Sequence, residues 1–497
     1  MNYLTHIPFG HSIPFNNPHA VSVSLPLISQ VIKYEEGDIE TRSLMRSGYP
    51  RFRMNNLLEL VCRNVRLLEE LPENKILLPL SSVKAVRLLE QTFKKKMEII
   101  SSGDIVLLVL DTSDPKFQDI KYFIQHSGLI PSSRRAEDYL LRNQLLRNEF
   151  PEVKANPDSA EQTIKRILSE AYGNTFPDHI FLCSSGMNAV YSIYYALKAG
   201  QEKKNKKTFI QLGWLYLDTM EIIKKYSHNY YHHLNLNDLD SLENYIKEKN
   251  GDVAGVFTEV PNNPLIQSVD LQRLRKLSIQ YDFAIIADTS IGTPFNVEVM
   301  EYVDIAVESL TKFASGNGDI LMGAVILNAH SQYALSLRDV IADVAEKPYI
   351  KDISRLAYEI VNYEKRVRMI SENTIELVNY LKTQKQVDLI HWAKSCNSEV
   401  NYNKIRKNEL AVPGVISVVF KKELYHYYDK LRLPKGPSLG TEFTLAMPYI
   451  YMAHYDLLRT RAGRMLLENI GVIPELLRIS VGTEPIEELI KVFEEVF

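Results

Sequence analysis

Cysteine is scarce in this sequence. Three occur in 497 residues, Cys62, Cys183 and Cys396, far apart and odd in number. That argues against a disulfide framework or a cysteine zinc site and favours a reducing, cytoplasmic setting. An excess of one charge is lacking too. The chain carries 58 Lys and Arg against 61 Asp and Glu, a formal net charge of -3. Nothing in that balance calls for nucleic acid or an anionic membrane as partner. No apolar run approaches the roughly 20 residues that span a bilayer. Met1–Pro14 has no basic stretch followed by an apolar one, so a secretory signal is not expected. The G-x-G-x-x-G turn is missing, which excludes the usual dinucleotide site. His232-His233 would point two imidazoles to opposite faces of a strand with no third ligand near, so no metal is expected.

What is present is ordinary globular composition, 45% hydrophobic and 24% charged. The middle of the chain is the most legible. Short β-branched or apolar runs alternate with longer amphipathic ones, the pattern of a parallel sheet covered by helices. Strands are predicted at His179–Cys183, Lys207–Leu212, Tyr230–Leu234, Val253–Val260, Phe283–Asp288, Ile305–Ser309 and Gly323–Leu327. Helices are predicted at Met187–Ala199, Tyr216–Tyr226, Asp238–Glu248 and Leu271–Tyr281. Residues 1–155 read as a mixed α/β extension, with a strand at Ile105–Asp111 and a charged helical stretch at Lys84–Met97. Residues 156–345 read as the large domain, and 346–497 as a smaller C-terminal α/β domain ending in a helix at Ile486–Phe497. Glu149–Ser159, polar with two prolines, reads as a linker. Ile76–Leu89 and Ile180–Tyr194 share a strand, a Ser-Ser pair and a helix, which chance similarity between two such units explains.

Several residues at predicted strand ends carry chemistry together. Asp288 closes one strand, where ligands of an open parallel sheet sit; alone it reads equally as a helix cap. Lys312 follows the next strand, behind the hydroxyls of Ser309 and Thr311 and ahead of Gly316 and Gly318. Alone it would be a surface lysine, but a partly buried lysine can act as an amine nucleophile or base. Ser184-Ser185-Gly186-Met187 forms a small turn opening a helix, suited to an anion or to simple capping. Trp214-Leu215-Tyr216 follows another strand, where an aromatic ring could stack on a planar cofactor or merely pack. An acid for a pyridine nitrogen, a lysine for an aldehyde and hydroxyls for a phosphate are what pyridoxal 5′-phosphate (PLP) asks of a protein.

From about residue 160 to the end, these motifs resemble the cystathionine γ-synthase family, the Cys/Met-metabolism branch of fold-type I PLP enzymes. Ser185-Gly186-Met187 is similar to its phosphate turn, and Tyr216 to its ring-stacking tyrosine. Pro261-Asn262-Asn263-Pro264 is similar to P-T-N-P, placing Asn263 near the cofactor oxygen. Asp288 matches the pyridinium partner. Ser309-Leu310-Thr311-Lys312 matches S-x-T-K, implying two phosphate hydroxyls and the Schiff-base lysine. Ser438-Leu439-Gly440 matches S-L-G, and Arg478-Ile479-Ser480-Val481-Gly482-Thr483-Glu484 matches R-x-S-V-G-x-E, whose arginine takes the substrate carboxylate. The first 155 residues resemble the extension of the fungal-type cystathionine γ-synthases, carried by Tyr34-Glu35-Glu36-Gly37, Gly48-Tyr49-Pro50-Arg51-Phe52 and Gln125-His126-Ser127-Gly128.

The resemblance implies a large domain with a mainly parallel seven-stranded sheet and a smaller C-terminal α/β domain. It implies a homodimer or tetramer with shared active sites, amino-acid substrates, and a place in transsulfuration toward methionine. The implied activity is γ-replacement on O-succinyl- or O-acetylhomoserine by a thiol such as cysteine. A γ- or β-lyase, or γ-replacement by a non-thiol nucleophile in secondary metabolism, is the alternative. Lys312 would move the protons, with Tyr216 assisting. Two departures stand out: Glu308 where the family has His, and Pro437 where it has Glu. The family's Y-x-R motif, supplied by the neighbouring subunit, is matched in spacing by Tyr49-Pro50-Arg51, though far upstream; Arg134 is the rival.

Overall fold

The structure is a computed structural model and describes residues 3–50, 53–395 and 398–497. Its centre is a seven-stranded sheet of β6 (Ile180–Cys183), β7 (Thr208–Leu212), β8 (Asn229–His233), β9 (Val253–Glu259), β10 (Ala284–Asp288), β11 (Ile305–Ser309) and β12 (Gly323–Leu327), in the order β6-β12-β11-β10-β9-β7-β8. Only β12 runs antiparallel to its neighbours. β9, β10 and β7 carry few polar residues because helices cover both faces. Alternate residues feed opposite cores: Ile210, Val256 and Ile285 one, Phe209, Phe257 and Ile286 the other.

A sheet of β13 (Val387–His391), β14 (Val415–Phe420), β15 (Leu445–Pro448) and β16 (Leu477–Ser480), all antiparallel in the order β13-β14-β16-β15, forms the C-terminal part. The predicted final helix is there, ending at Glu494.

The N-terminal extension is two things. Its first stretch, with the short pair β1 (Ser12–Ile13) and β2 (Ser22–Val23), is laid against the C-terminal part. Val23, Leu25 and Val31 share a core with Met447 and Leu476. Its second stretch carries a three-stranded antiparallel sheet of β3 (Lys75–Leu80), β4 (Glu98–Ser102) and β5 (Ile105–Asp111), in the order β3-β5-β4. The charged stretch predicted to be helical through Met97 stops at Phe93, where Lys94 turns left-handed.

Glu149–Ser159 is not a free linker. Asn156 caps a helix that starts at Pro157. Glu152 is pinned to Arg134 at 2.6 Å, and the Ala155 amide bonds the Ser354 carbonyl. The two Ser-Ser units share a local geometry: Ser82 caps the Ala85 amide as Ser185 caps that of Asn188. Their sheets differ, since β3 pairs with β5 and β6 with β12.

Candidate active site

The parallel strands all end on one side, and the singled-out residues gather there. After β6, Ser185 Oγ accepts from the Asn188 amide at 3.0 Å and starts the helix Gly186–Glu202. A Cβ on Gly186 would sit 2.9 Å from Ser309 Cβ, and one on Gly323 2.5 Å from the Ser185 carbonyl oxygen. Glycine at both positions therefore lets the helix N-terminus close on the end of β11. The result is a cradle of amide groups at the positive end of a helix dipole, with Ser309 and Thr311 beside it.

Across the cleft stands Asp288, at the end of β10. Burial raises its pKa, against hydrogen bonds from Ser290 and the charge of Lys312. A cation opposite it would reverse that shift. Tyr216 and Asn263 line the same cleft, after β7 and β9. Asn263 is buried and its Oδ1 has no hydrogen-bond partner among the described residues, an orphan acceptor that a ligand hydroxyl would satisfy, as its Nδ2 would a ligand oxygen if the amide were turned.

Lys312 reaches into the cleft from the turn after β11. Its Nζ lies 2.9 Å from Ser438 Oγ and 3.2 Å from Tyr49 Oη. Ser438 holds a left-handed backbone, φ +91, a conformation that costs a non-glycine residue energy and is retained where the surroundings enforce it. Its carbonyl accepts from Arg478 Nη2. Arg478, on β16, is buried with no carboxylate in ion-pair range among the described residues, and its Nε is unpartnered. Burial pushes its pKa down to about 10. A buried guanidinium in this state invites a carboxylate fork.

Ser185, Gly186, Met187, Tyr216, Asn263, Asp288, Ser309, Thr311, Lys312, Tyr49, Ser438 and Arg478 thus all line one cleft. Arg51 lies outside the described residues. Arg134, its rival, is not in the site: its guanidinium is spent on Glu152 and Asp352. Trp214 does not line the cleft; it packs against His454, donating to Nε2 at 3.3 Å.

Sequence reasoning missed Glu259, which ends β9, accepts from the Tyr216 amide at 2.5 Å and has its pKa raised by burial and by nearby Asp288. Its signal was a carboxylate closing a strand just ahead of Pro261. It also missed Gln125 and Gly128 as lining residues, and Tyr449, which lies under the Arg478 guanidinium. Glu308 points away from the cleft and accepts from Tyr172 and Tyr363 at 2.7 and 2.6 Å.

The donor set fits PLP. An anion cradle, an acid, an amine and an unpaired amide line one concave space, with a carboxylate receptor alongside.

The comparisons with known proteins agree. Residues 163–497 match the family described as Cys/Met metabolism PLP-dependent enzyme. An L-2-amino-4-chloropent-4-enoate dechlorinase/desaturase of Streptantibioticus cattleyicolor is 33% identical over 481 residues, covering 96% of each chain. A cystathionine gamma-synthase of Neurospora crassa is 28% identical over 97% of each, and that of Saccharomyces cerevisiae 24% over 98% of each. The crystal structure of cystathionine gamma synthase from Xanthomonas oryzae pv. oryzae aligns with a TM-score of 0.58 at 19% identity, over 68% of this chain and 86% of that one. At that identity the likeness is one of fold.

Proposed function

Because this chain belongs to the Cys/Met-metabolism family of PLP-dependent enzymes, we propose that it removes a substituent from the γ-carbon of an α-amino acid. The observation that carries this reading is the buried Arg478, joined through Ser438 to Lys312. It orients an amino acid by its carboxylate, with the α-carbon beside the lysine amine. PLP, when bound, supplies the electron sink that makes the α- and β-protons of an amino acid labile. The chain's residues do the rest. Asp288 would face the pyridine nitrogen and hold its proton; Tyr216 would stack on the ring, Asn263 would bond the ring oxygen, and Ser185, Gly186, Met187, Ser309 and Thr311 would hold the phosphate. Lys312 takes the proton from the α-carbon and returns it during turnover.

The leaving group's fate is read from the apolar part of the lining. Pro437 and Leu439, either side of Ser438, and Met447 and Ala453 are among the lining, and none of these four offers a charge to steer a zwitterionic nucleophile. That favours elimination, and the dechlorinase/desaturase relative supports it. The second reading is replacement of the acyloxy group of O-succinyl- or O-acetylhomoserine by a thiol such as cysteine, in the service of methionine synthesis. The two cystathionine gamma-synthase relatives, matched nearly end to end, support that one. A homodimeric or tetrameric, cytoplasmic enzyme completes the proposal.

Product analysis separates the readings. The PLP-loaded enzyme is given O-acetylhomoserine and, separately, 2-amino-4-chloropent-4-enoate, each with and without cysteine. Elimination predicts acetate or chloride release that cysteine does not change and no thioether product. Cystathionine as the main product would establish replacement. Release of neither leaving group would sink both.

A further inference from the structure

Glu308 departs from the family pattern, and the chemistry at the γ-carbon leaves it without a task. It stands behind the cofactor site, on the other face of the sheet from Asp288. We propose that Glu308 is a proton store acting through Asp288: it keeps a proton while nothing opposes Asp288 and gives it up when a cation does. The inference rests on the reading that Asp288 faces the pyridine nitrogen and is independent of what happens at the γ-carbon.

The first observation is where the strands put it. Asp288 on β10 is level with Val307 on β11. Successive side chains of a strand point to opposite faces, so Glu308 lies on the face away from the cleft. It shares that face with Thr289, the residue after Asp288, and Tyr172 bonds both. The two acids are therefore neighbours through the sheet, and the charge of Asp288 reaches Glu308.

The second is the chain of hydroxyls around it. Tyr363 Oη lies 2.6 Å from Glu308 Oε1, and Tyr172 Oη 2.7 Å from Oε2. Thr289 Oγ1 lies 2.6 Å from Tyr172 Oη and 3.2 Å from the Val307 carbonyl oxygen. All four side chains are buried. A carboxyl protonated on Oε2 fills every one of these contacts. It donates to Tyr172, Tyr172 to Thr289, Thr289 to the Val307 carbonyl, and Tyr363 to Oε1. An ionised carboxylate leaves one contact empty. Both tyrosines must then donate to it, and the single Thr289 proton cannot serve Tyr172 and the carbonyl together. In exchange it accepts two bonds as a charged group, the stronger kind. Neither form is stranded, so a change in nearby charge decides between them.

The third is the charge around it. The titratable groups that face Glu308 are Tyr172, ending the helix Pro157–Tyr172, Tyr363, opening the helix Tyr363–Lys382, and Asp288. Arg366 acts on Tyr363 from behind, and Lys312 on Asp288. Burial raises the Glu308 pKa to about 7 against the bonds from Tyr363 and Tyr172, and the Asp288 charge adds to the rise. A pyridinium opposite Asp288 cancels that charge. Glu308 then releases its proton to solvent, and both tyrosines donate to the carboxylate. By linkage, PLP binding and this release favour each other.

The test is the pH dependence of PLP affinity in Glu308→Gln and in the unchanged protein, read from the visible absorbance on titration with PLP. Gln donates from Nε2 to Tyr172 and accepts at Oε1 from Tyr363, so it copies the protonated carboxyl and removes only its titration. Lys312, Asp288 and PLP titrate in both proteins, so the ratio of the two affinities isolates Glu308. A one-unit fall of the Glu308 pKa on binding makes that ratio, unchanged protein over variant, rise about fivefold between about pH 6 and pH 8. A ratio that stays flat with pH overturns the inference, because Glu308 then only ties the two helices to β11. Tyr363→Phe gives a second measurement in a chain that keeps the acid. It takes one donor from the carboxylate, so the Glu308 step in PLP affinity should move up by about one pH unit. A step that stays in place overturns the inference as well. Asp288→Asn checks the premise and should bind PLP more weakly than the unchanged protein. Equal affinity would take Asp288 away from the ring nitrogen and the proton store with it.

Discussion

Arg478 shows how one side chain can be informative through what it lacks. Guanidinium groups this deeply buried are ordinarily paired, and Arg134 in the same molecule is paired by three carboxylates. Arg478 bonds the Ser438 carbonyl and lies over the Tyr449 ring, with no carboxylate in ion-pair range among the described residues. Arg478→Lys keeps the charge and loses the planar fork. It is expected to raise KM for the amino acid by about 10- to 100-fold, leaving the PLP absorbance intact; unchanged KM would mean the carboxylate binds elsewhere. Glu308 makes a second prediction. Burial raises its pKa from 4.5 to about 7, partly offset by hydrogen bonds from Tyr363 and Tyr172. A raised carboxyl holds a proton in the folded chain that the unfolded chain releases. Its stabilising share is therefore complete below about pH 4.5 and lost as pH rises through about 7, roughly 3 kcal/mol in all. Glu308→Gln cannot titrate, so its melting temperature should fall less across that window. Parallel curves for the two proteins would exclude Glu308. The residues that sequence found and those it missed differ in a simple way. Lys312 and Asp288 stand out because motifs on successive strand ends fix their order. Tyr449 opens a short helix after β15 and Gly128 lies in the turn after the helix Phe117–His126, and both face the cleft only after folding.

Among elements, the central sheet was the most legible part. β11 and β12 lie where the apolar runs put them, since strands buried on both faces leave little choice of residue. The Glu149–Ser159 segment was misread because polarity and proline look alike in a loose linker and in a docked segment that starts a helix. The partner of Glu152 is Arg134, and that pairing is invisible to local pattern. The turn at Gly128 was quoted as a motif without a task. Its task is contact: it lets the second stretch of the extension press on the Ser185 turn. Gly128 has φ +66 and Gly103 has φ +61, but nothing lies within 4 Å of a Cβ on Gly103. Gly103→Ala should therefore cost only the backbone strain, about 1 kcal/mol. Gly128→Ala adds the overlap with Ser185 and Asn188, bringing the loss to about 2–4 kcal/mol, and should weaken PLP binding as well. Chemical denaturation and PLP titration of both variants check this. Equal losses with unchanged PLP affinity would show that the turn does not transmit to the site.

On the scale of the whole molecule, Arg134 is where the parts meet. It belongs to the second stretch of the extension. It holds Glu152 at 2.6 Å, the Asp319 carbonyl at 2.9 Å beyond the Lys312 turn, and Asp352 at 2.8 Å on the helix Ile350–Glu359. Burial alone would raise the Glu152 pKa, but the Arg134 hydrogen bond and charge outweigh it and hold the group down at about 2. Arg134 was the rival candidate for the phosphate, and its burial among acids explains why a sequence motif of this kind is ambiguous: an arginine needed for assembly and one needed for a ligand look the same in a string of letters. Arg134→Leu keeps much of the volume and removes the shared cation from Glu152, Asp319 and Asp352, leaving Lys154 and Arg355 on the first two. The expected loss is about 3–5 kcal/mol at neutral pH. The pH dependence identifies the cause. With the arginine present, Glu152 is ionised far below its ordinary range, and its contribution fades only as pH falls toward 2. Without it, Glu152 loses the bond and the charge that hold its pKa down, and its protonation relieves the crowding. The deficit of Arg134→Leu should thus shrink as pH is lowered from 7 to about 4.5. A deficit that stays constant with pH would mean that lost packing, not stranded charge, is the cost.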